Sequence, residues 1–181
     1  MLHFLKHLLQ LLISPENGWE DISHQGRDAK RLALEGLYPL LGITAISTFI
    51  GLFYDPDLNL TIALQGSIVT FVQYFVTYFI AIFIFSAYLG KYVEGELNEK
   101  RNMTFITYSI ATLALIKIIE NCIPIELSLL QFLPVYVAVI MWKGSRYMAV
   151  KRNKAGQYII LTITSIIIPV YLIKYIFDFI I

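Results

Sequence analysis

Long apolar stretches separated by short polar segments dominate the pattern along this chain. Five of them approach the length of about 20 mostly apolar residues that a helix needs to cross about 30 Å of hydrocarbon. We predict these spans at residues 36–54, 66–89, 104–123, 127–142 and 158–177. Only residues 124–126 separate the third span from the fourth, and Pro124 disfavours helix continuation there. A tight helical hairpin is the prediction, with a re-entrant pair that does not fully cross as the alternative.

A distinct region, residues 1–35, precedes the membrane domain at 36–181. Residues 1–13 are mostly Leu, Phe and Ile, but His3, Lys6, His7 and Gln10 follow the spacing of one helical face. This pattern predicts an amphipathic helix, too short to cross, that lies in the membrane interface or packs on the bundle. A signal peptide is the rival interpretation, and the polar stripe disfavours it because it interrupts the required apolar run.

The segment Ser14 to Ile22 predicts a second short helix. Ser14 is a favourable N-cap and Pro15 suits the first helical position. Trp19 and Ile22 are three residues apart and therefore share a face, so we expect Trp19 to anchor at the level of the lipid headgroups. Ser14, Pro15, Trp19 and Ile22 are thus candidates for an interfacial elbow or, alternatively, for a docking surface for a cytosolic protein.

Composition supports a bilayer as the solvent for this chain. Hydrophobic residues make up 57% and charged residues 15%, whereas soluble domains are usually about a quarter charged. Twelve of the fourteen Lys and Arg residues lie before span one, between spans two and three, or between spans four and five. Because cytoplasmic loops are enriched in these residues, we predict an all-α integral membrane protein with five transmembrane helices, a cytoplasmic N-terminus and an outside C-terminus.

This layout resembles the bacterial branch of the Yip-domain family, the Ypt-interacting proteins. The resemblance rests on the amphipathic helix, on Ser14-Pro15 followed by Trp19 and Ile22, on the five spans, and on a basic loop running from Lys143-Gly144 to Lys154-Ala155. It implies a five-helix membrane bundle with a cytoplasmic N-terminus, and it does not imply a catalytic activity. Eukaryotic members are linked to Rab-type GTPases and usually carry a long polar N-terminal region. The short form here is more typical of a bacterial inner-membrane protein.

Ionisable residues inside the predicted spans are candidates for function, because each costs about 2.5–3.5 kcal/mol to insert. Lys117 and Glu120 lie three residues apart on the third span, and Lys174 and Asp178 lie four apart on the fifth. These four can pair within each helix or across the bundle. A polar stripe on the second span includes Gln73, which indicates either helix packing or a pore lining.

No motif indicates catalysis, a metal or a cofactor. The sequence contains neither a Gly-Xaa-Ser-Xaa-Gly elbow nor a Gly-rich phosphate loop. We therefore expect no enzyme activity, no cofactor and no nucleic-acid partner. Composition predicts the lipid bilayer as a partner, and anionic headgroups are a candidate ligand of the 143–154 loop. A cytosolic or membrane protein partner and a homo-oligomer both stay open. Two functions follow: an adaptor or organiser acting through the cytoplasmic face, or a small transporter or channel subunit using Lys117 and Glu120.

Overall fold

The computed structural model describes residues 1–24, 26, 28–95, 98–123 and 133–180. This part of the chain is helical, which confirms the all-α class, and its only β pairing is an isolated bridge between Val93 and Val150. The helices are α1 (Leu2–Ile13), α2 (Pro15–His24), α3 (Ala29–Phe53), α4 (Leu60–Lys91), α5 (Glu99–Cys122), α6 (Leu133–Lys143) and α7 (Arg152–Ile180).

Four of these helices, α3, α4, α5 and α7, are long and apolar enough to cross a membrane. They correspond to the first, second, third and fifth predicted spans. The fourth predicted span corresponds to α6, which has 11 residues in the described part of the chain. Its predicted beginning at residue 127, and the predicted hairpin at 124–126, lie outside the described residues. A fifth crossing by α6 therefore stays a prediction.

The crossing helices begin earlier than hydropathy predicted. The Asn59 side chain accepts a hydrogen bond from Ile62 N (2.9 Å) at the start of α4, and Asn98 accepts one from Arg101 N (3.0 Å) at the start of α5. Both are N-caps that satisfy backbone donors of the first turn. The helices begin before the predicted spans at 66 and 104, because a helix begins at its cap while hydropathy marks only the apolar part.

α5 is the central helix of the bundle and contacts α1, α3, α4, α6 and α7. Its residues Phe105, Ile106, Ile110, Ala111 and Ala114 have no exposed surface. The outer helices instead expose large apolar side chains: Phe83 on α4 is 73% exposed and Phe179 on α7 is 85% exposed. Apolar groups that face outward all round a bundle suit a lipid environment rather than water.

Two of the crossing helices contain a π-helical turn just before a proline. The turns are Ala33–Leu37 in α3 and Ile163–Ile167 in α7, and Pro39 and Pro169 follow each by two residues. Proline has no N–H and its ring clashes with the carbonyl four residues back. The wider turn absorbs this clash while the preceding carbonyls keep hydrogen-bond partners.

Candidate functional site

The first helix packs on the bundle, which was one of the two predicted positions. The Phe4 ring stacks on Tyr108 of α5 with 5.1 Å between ring centroids, and the Tyr136 hydroxyl donates to the carbonyl of Leu12 (2.8 Å). His3 and Lys6 face outward as expected, whereas His7 is only 7% exposed. The predicted polar stripe is therefore wrong at His7, because the turn that carries Phe4 and Leu8 is covered by the bundle.

The second helix begins at Pro15 as predicted, and the Ser14 carbonyl accepts the first helical hydrogen bond from Gly18 N (2.9 Å). Trp19 and Ile22 lie on one face, but this face is turned into the protein: they are 2% and 5% exposed. The Trp19 indole Nε1 donates to the carbonyl of Ile140 in α6 (2.8 Å). The expected headgroup anchor at Trp19 is wrong, because protein rather than lipid covers the indole.

Trp19 is the centre of an aromatic cluster that fixes α2 to the bundle. Its ring stacks on Phe105 (5.0 Å) and Tyr147 (5.3 Å), and Tyr108 meets it edge-on (6.5 Å). Gly144 makes this packing possible, since a Cβ there would lie 2.6 Å from Phe105 and 2.9 Å from Trp19. Such aromatic pairs add about 0.5–1.5 kcal/mol each beyond their buried area, so α2 and the loop after α6 are held together as one unit.

A cavity of about 690 Å³ lies over this cluster, between α2, the start of α5 and the loop after α6. Its floor includes Trp19, Thr104 and Tyr108. Its polar rim combines two acids from α2 with four bases from the other two segments: Glu16, Glu20, Lys100, Arg101, Lys143 and Arg146. Sequence reasoning missed this cavity because α2 is about 80 residues from the start of α5, which is in turn about 40 residues from the loop after α6, and no local pattern brings the three segments together. The one available signal was the clustering of bases at the ends of the spans.

Ion pairs and hydrogen bonds already engage most of the rim cations. Glu16 accepts from Arg146 Nη1 (2.6 Å) and from Lys143 Nζ (3.4 Å), and the Lys100 ammonium donates to the carbonyl of Gly26 (2.6 Å). The Arg101 Nε is buried and has no hydrogen-bond partner among the described residues. Counted over the described residues, the rim therefore carries two more positive than negative charges, and the Arg101 Nε is a buried donor without an acceptor.

Burial raises the pKa of the Tyr147 hydroxyl above its ordinary value, and a hydrogen bond with Thr104 and the charge of Arg101 only partly oppose this shift. The hydroxyl therefore stays protonated at neutral pH. It can donate a hydrogen bond beside Arg101, which adds a neutral donor to the cationic rim.

The two ionisable pairs predicted within spans each form locally. Lys117 Nζ lies 3.3 Å from Glu120 Oε2, with both side chains a little over a quarter exposed. Lys174 Nζ lies 2.5 Å from Asp178 Oδ2, and both are about half exposed. Pairing thus follows the helical spacing of three and four residues. The cavity does not include Lys117 or Glu120.

The polar stripe of α4 faces the bundle interior. Gln73 is 3% exposed and Thr77 has no exposed surface, with the Thr77 hydroxyl donating to the Gln73 carbonyl (2.6 Å). Two buried polar atoms in this interior, Gln73 Oε1 on α4 and Ser109 Oγ on α5, have no hydrogen-bond partner among the described residues. Buried polar atoms of this kind usually need an explanation, such as a water or a ligand.

Among the described residues, no group of three or more His, Cys, Asp and Glu side chains is placed to hold a metal ion. A family model described as Yip1 domain matches residues 9–176, which is almost the whole chain. No curated protein and no solved structure matches the chain.

Proposed function

The chain belongs to the Yip1 domain family, and from that premise we propose that it works as a non-enzymatic adaptor or organiser in a bacterial inner membrane, acting through its cytoplasmic face. The family match confirms the resemblance to the Yip-domain family. Membership makes it a multi-pass membrane protein of the Yip type, and the apolar, outward-facing helices agree with this. The adaptor role, the orientation and the bacterial membrane are our proposals.

The orientation is supported by the distribution of basic residues. The N-terminal region, residues 90–103 and residues 143–154 hold twelve of the fourteen Lys and Arg residues. Positive loops are retained in the cytosol. The connections at 55–59 and 124–126 contain only acidic charges, which suits the opposite side. Five crossings would then leave the C-terminal end of α7 outside.

One observation carries the adaptor proposal: the three segments assigned to the cytosol by their charge meet in a single surface. α2 is held by Trp19 on α6, the start of α5 lies beneath it, and the loop after α6 pairs with Glu16. The bridge between Val93 and Val150 joins the two basic loops to each other. A preformed surface built from segments outside the crossing helices suits recognition, since a partner need not order it on binding.

The surface differs from the docking helix that the sequence suggested. Trp19 and Ile22 are used inside the protein, so a partner would contact the outer residues of α2, such as Glu20 and Ser23, together with the loop after α6. Ser14 and Pro15 set the start of α2 and so position this surface indirectly.

Site-directed photocrosslinking in native membranes tests the proposal. A photoreactive amino acid at Glu20 is expected to capture one defined protein, and the same probe at Asp57, in the opposite connection, is expected not to. The product should disappear when Trp19→Ala loosens α2. Capture of a second copy of the chain would assign a homo-oligomer, while capture of lipid alone at Glu20 would contradict the adaptor role.

A small transporter or channel subunit is the second candidate, favoured by the unpartnered buried atoms Gln73 Oε1 and Ser109 Oγ and by the Lys117–Glu120 pair within a span. Polar residues at such depth often mark an ion or proton path. Proteoliposomes loaded with a pH-sensitive dye test this function. Proton flux that Glu120→Gln abolishes would establish it, and the absence of flux over empty liposomes would exclude a proton path.

A further inference from the structure

The cavity between α2, the start of α5 and the loop after α6 has the charge of an anion site. Its rim gathers Lys100 and Arg101 from the first turn of α5 with Lys143 and Arg146 from the loop after α6. Among the described residues that line the cavity, the acids that oppose them are Glu16 and Glu20. Like charges that are gathered on one concavity repel one another, so they are held together at a cost that a bound anion would offset.

Arg101 is the strongest single indication of a ligand. Its Nε is buried and lacks a hydrogen-bond partner among the described residues, although a guanidinium offers five donors in a fixed fork. A buried donor without an acceptor costs about 1–3 kcal/mol. Arg101 belongs to the first turn of α5, where the helix dipole adds a partial positive charge. Both features favour a group with several acceptor oxygens, such as a phosphate.

Glu16 shows how such a group would be held. Its carboxylate lies 2.6 Å from Arg146 Nη1 and 3.4 Å from Lys143 Nζ, which is the geometry that a phosphate oxygen would adopt with the same two side chains. Glu16 is about half exposed and Arg146 is 85% exposed. Exposed ion pairs contribute little to stability, so a doubly charged ligand can displace this carboxylate at small cost.

The dimensions suit a headgroup rather than a bare ion alone. A volume of about 690 Å³ falls within the range of small-molecule sites, about 300–1,000 Å³. The walls provide further donors in Ser23, Thr104 and Tyr147, and apolar surface in Leu32 and Ile22. Polar donors at one side and apolar walls at another suit a molecule with a charged head and a less polar body.

We propose that this cavity is a phosphate-binding site, that Arg101, Lys143 and Arg146 bind the phosphate oxygens, and that the Glu16 carboxylate is its built-in competitor. The phosphate belongs either to an anionic lipid headgroup or to a small soluble phosphate compound. This inference deepens the proposed function, because it gives the cytoplasmic face a ligand. Its test requires no protein partner, so the two proposals can fail independently.

Trp19 provides the readout, since it lines the cavity and the chain has only one other tryptophan, the 59% exposed Trp142. The full chain with Trp142→Phe is reconstituted in phosphatidylcholine nanodiscs and titrated with dioctanoyl phosphatidic acid, inorganic phosphate or dioctanoyl phosphatidylcholine. We expect a saturable change in Trp19 emission with phosphatidic acid. An equal change with inorganic phosphate would show that the phosphate group suffices. A change with phosphatidic acid but none with inorganic phosphate would assign the site to the lipid headgroup.

Charge variants test the named residues. Arg101→Gln or Lys143→Gln should weaken binding at least tenfold, and Glu16→Gln should tighten it severalfold because the competitor is gone. Arg152→Gln, an exposed base outside the cavity, is the matched control and should leave the affinity unchanged. If Arg101→Gln does not fold, Lys143→Gln and Glu16→Gln carry the test, with folding checked by thermal melting.

Three results would overturn the proposal. The first is no saturable emission change with either phosphate ligand. The second is an equal change with phosphatidylcholine. The third is an equal loss of affinity in Arg152→Gln and Lys143→Gln, which would show general surface attraction in place of a site.

Discussion

Replacing Trp19 by alanine should release α2 from the bundle. The indole is 2% exposed, donates to the Ile140 carbonyl and stacks on Phe105 and Tyr147. Truncating a buried tryptophan costs about 3–5 kcal/mol, which includes the loss of a hydrogen bond worth about 1 kcal/mol. Since 1.4 kcal/mol is a factor of ten, the detached population should rise at least about 100-fold.

Hydrogen exchange measured by mass spectrometry in nanodiscs checks this directly. Amides of residues 15–24 should lose protection in Trp19→Ala while those of α5 keep theirs. The control is Trp142→Ala, because that ring is 59% exposed and its loss should leave exchange in α2 unchanged. Unchanged protection of residues 15–24 in Trp19→Ala would refute the view that this side chain holds the cytoplasmic surface together.

Three further substitutions test other parts of the structure by thermal unfolding in detergent. Gly144→Ala should lower the free energy of unfolding by about 1–3 kcal/mol, because the added methyl group overpacks the aromatic cluster. In the control Gly156→Ala the new methyl group meets nothing within 4 Å, so that variant should be neutral or up to about 1 kcal/mol more stable. Equal effects of the two substitutions would contradict the close packing around Gly144. Lys117→Glu and Glu120→Lys should each cost roughly 0.5–1 kcal/mol and the double exchange should recover most of it; a double variant as unstable as either single one would show that local pairing is not what matters. Ser109→Ala removes a buried hydroxyl without a described partner and should be neutral or stabilising by about 1 kcal/mol; marked destabilisation would indicate that the hydroxyl binds water inside the bundle.

Local spacing was enough to predict the helices and to place the members of each ionisable pair within reach of one another, although it left pairing across the bundle open. Lys117 and Glu120 are three residues apart, and Lys174 and Asp178 four apart, so a helix alone brings each pair into contact. Pro15 likewise marked the first residue of α2 from local chemistry alone, since its missing N–H is not needed at the first position of a helix.

The environment of an apolar face could not be predicted in this way. Trp19 and Ile22 share a face in both the prediction and the structure, yet lipid and protein interior are both apolar and select the same residues. The choice between them depends on Gly144 and Phe105, which are more than 80 residues away and accommodate the indole. His7 was misassigned for the same reason, since the sequence of α1 does not show that it packs against α2 and α5.

The cavity depends on three distant segments and so left no pattern in the sequence. Arg101 was interpreted as one of the charges that set the topology, and nothing nearby in the sequence indicated that its Nε would be buried or that its side chain would line a cavity. Long-range packing brings basic residues that were predicted to set the topology together at the rim of a candidate site.

The account depends most on an odd number of crossings, which places α2 and the end of α7 on opposite sides of the membrane. Cysteine accessibility in intact cells measures this directly: Cys122→Ser removes the only native thiol, and single cysteines then replace His24 or the 71% exposed Ile180. An impermeant maleimide added outside should label the cysteine at 180 and reach the one at 24 only after the membrane is opened. Labelling of both positions from the same side would mean an even number of crossings and would contradict the account.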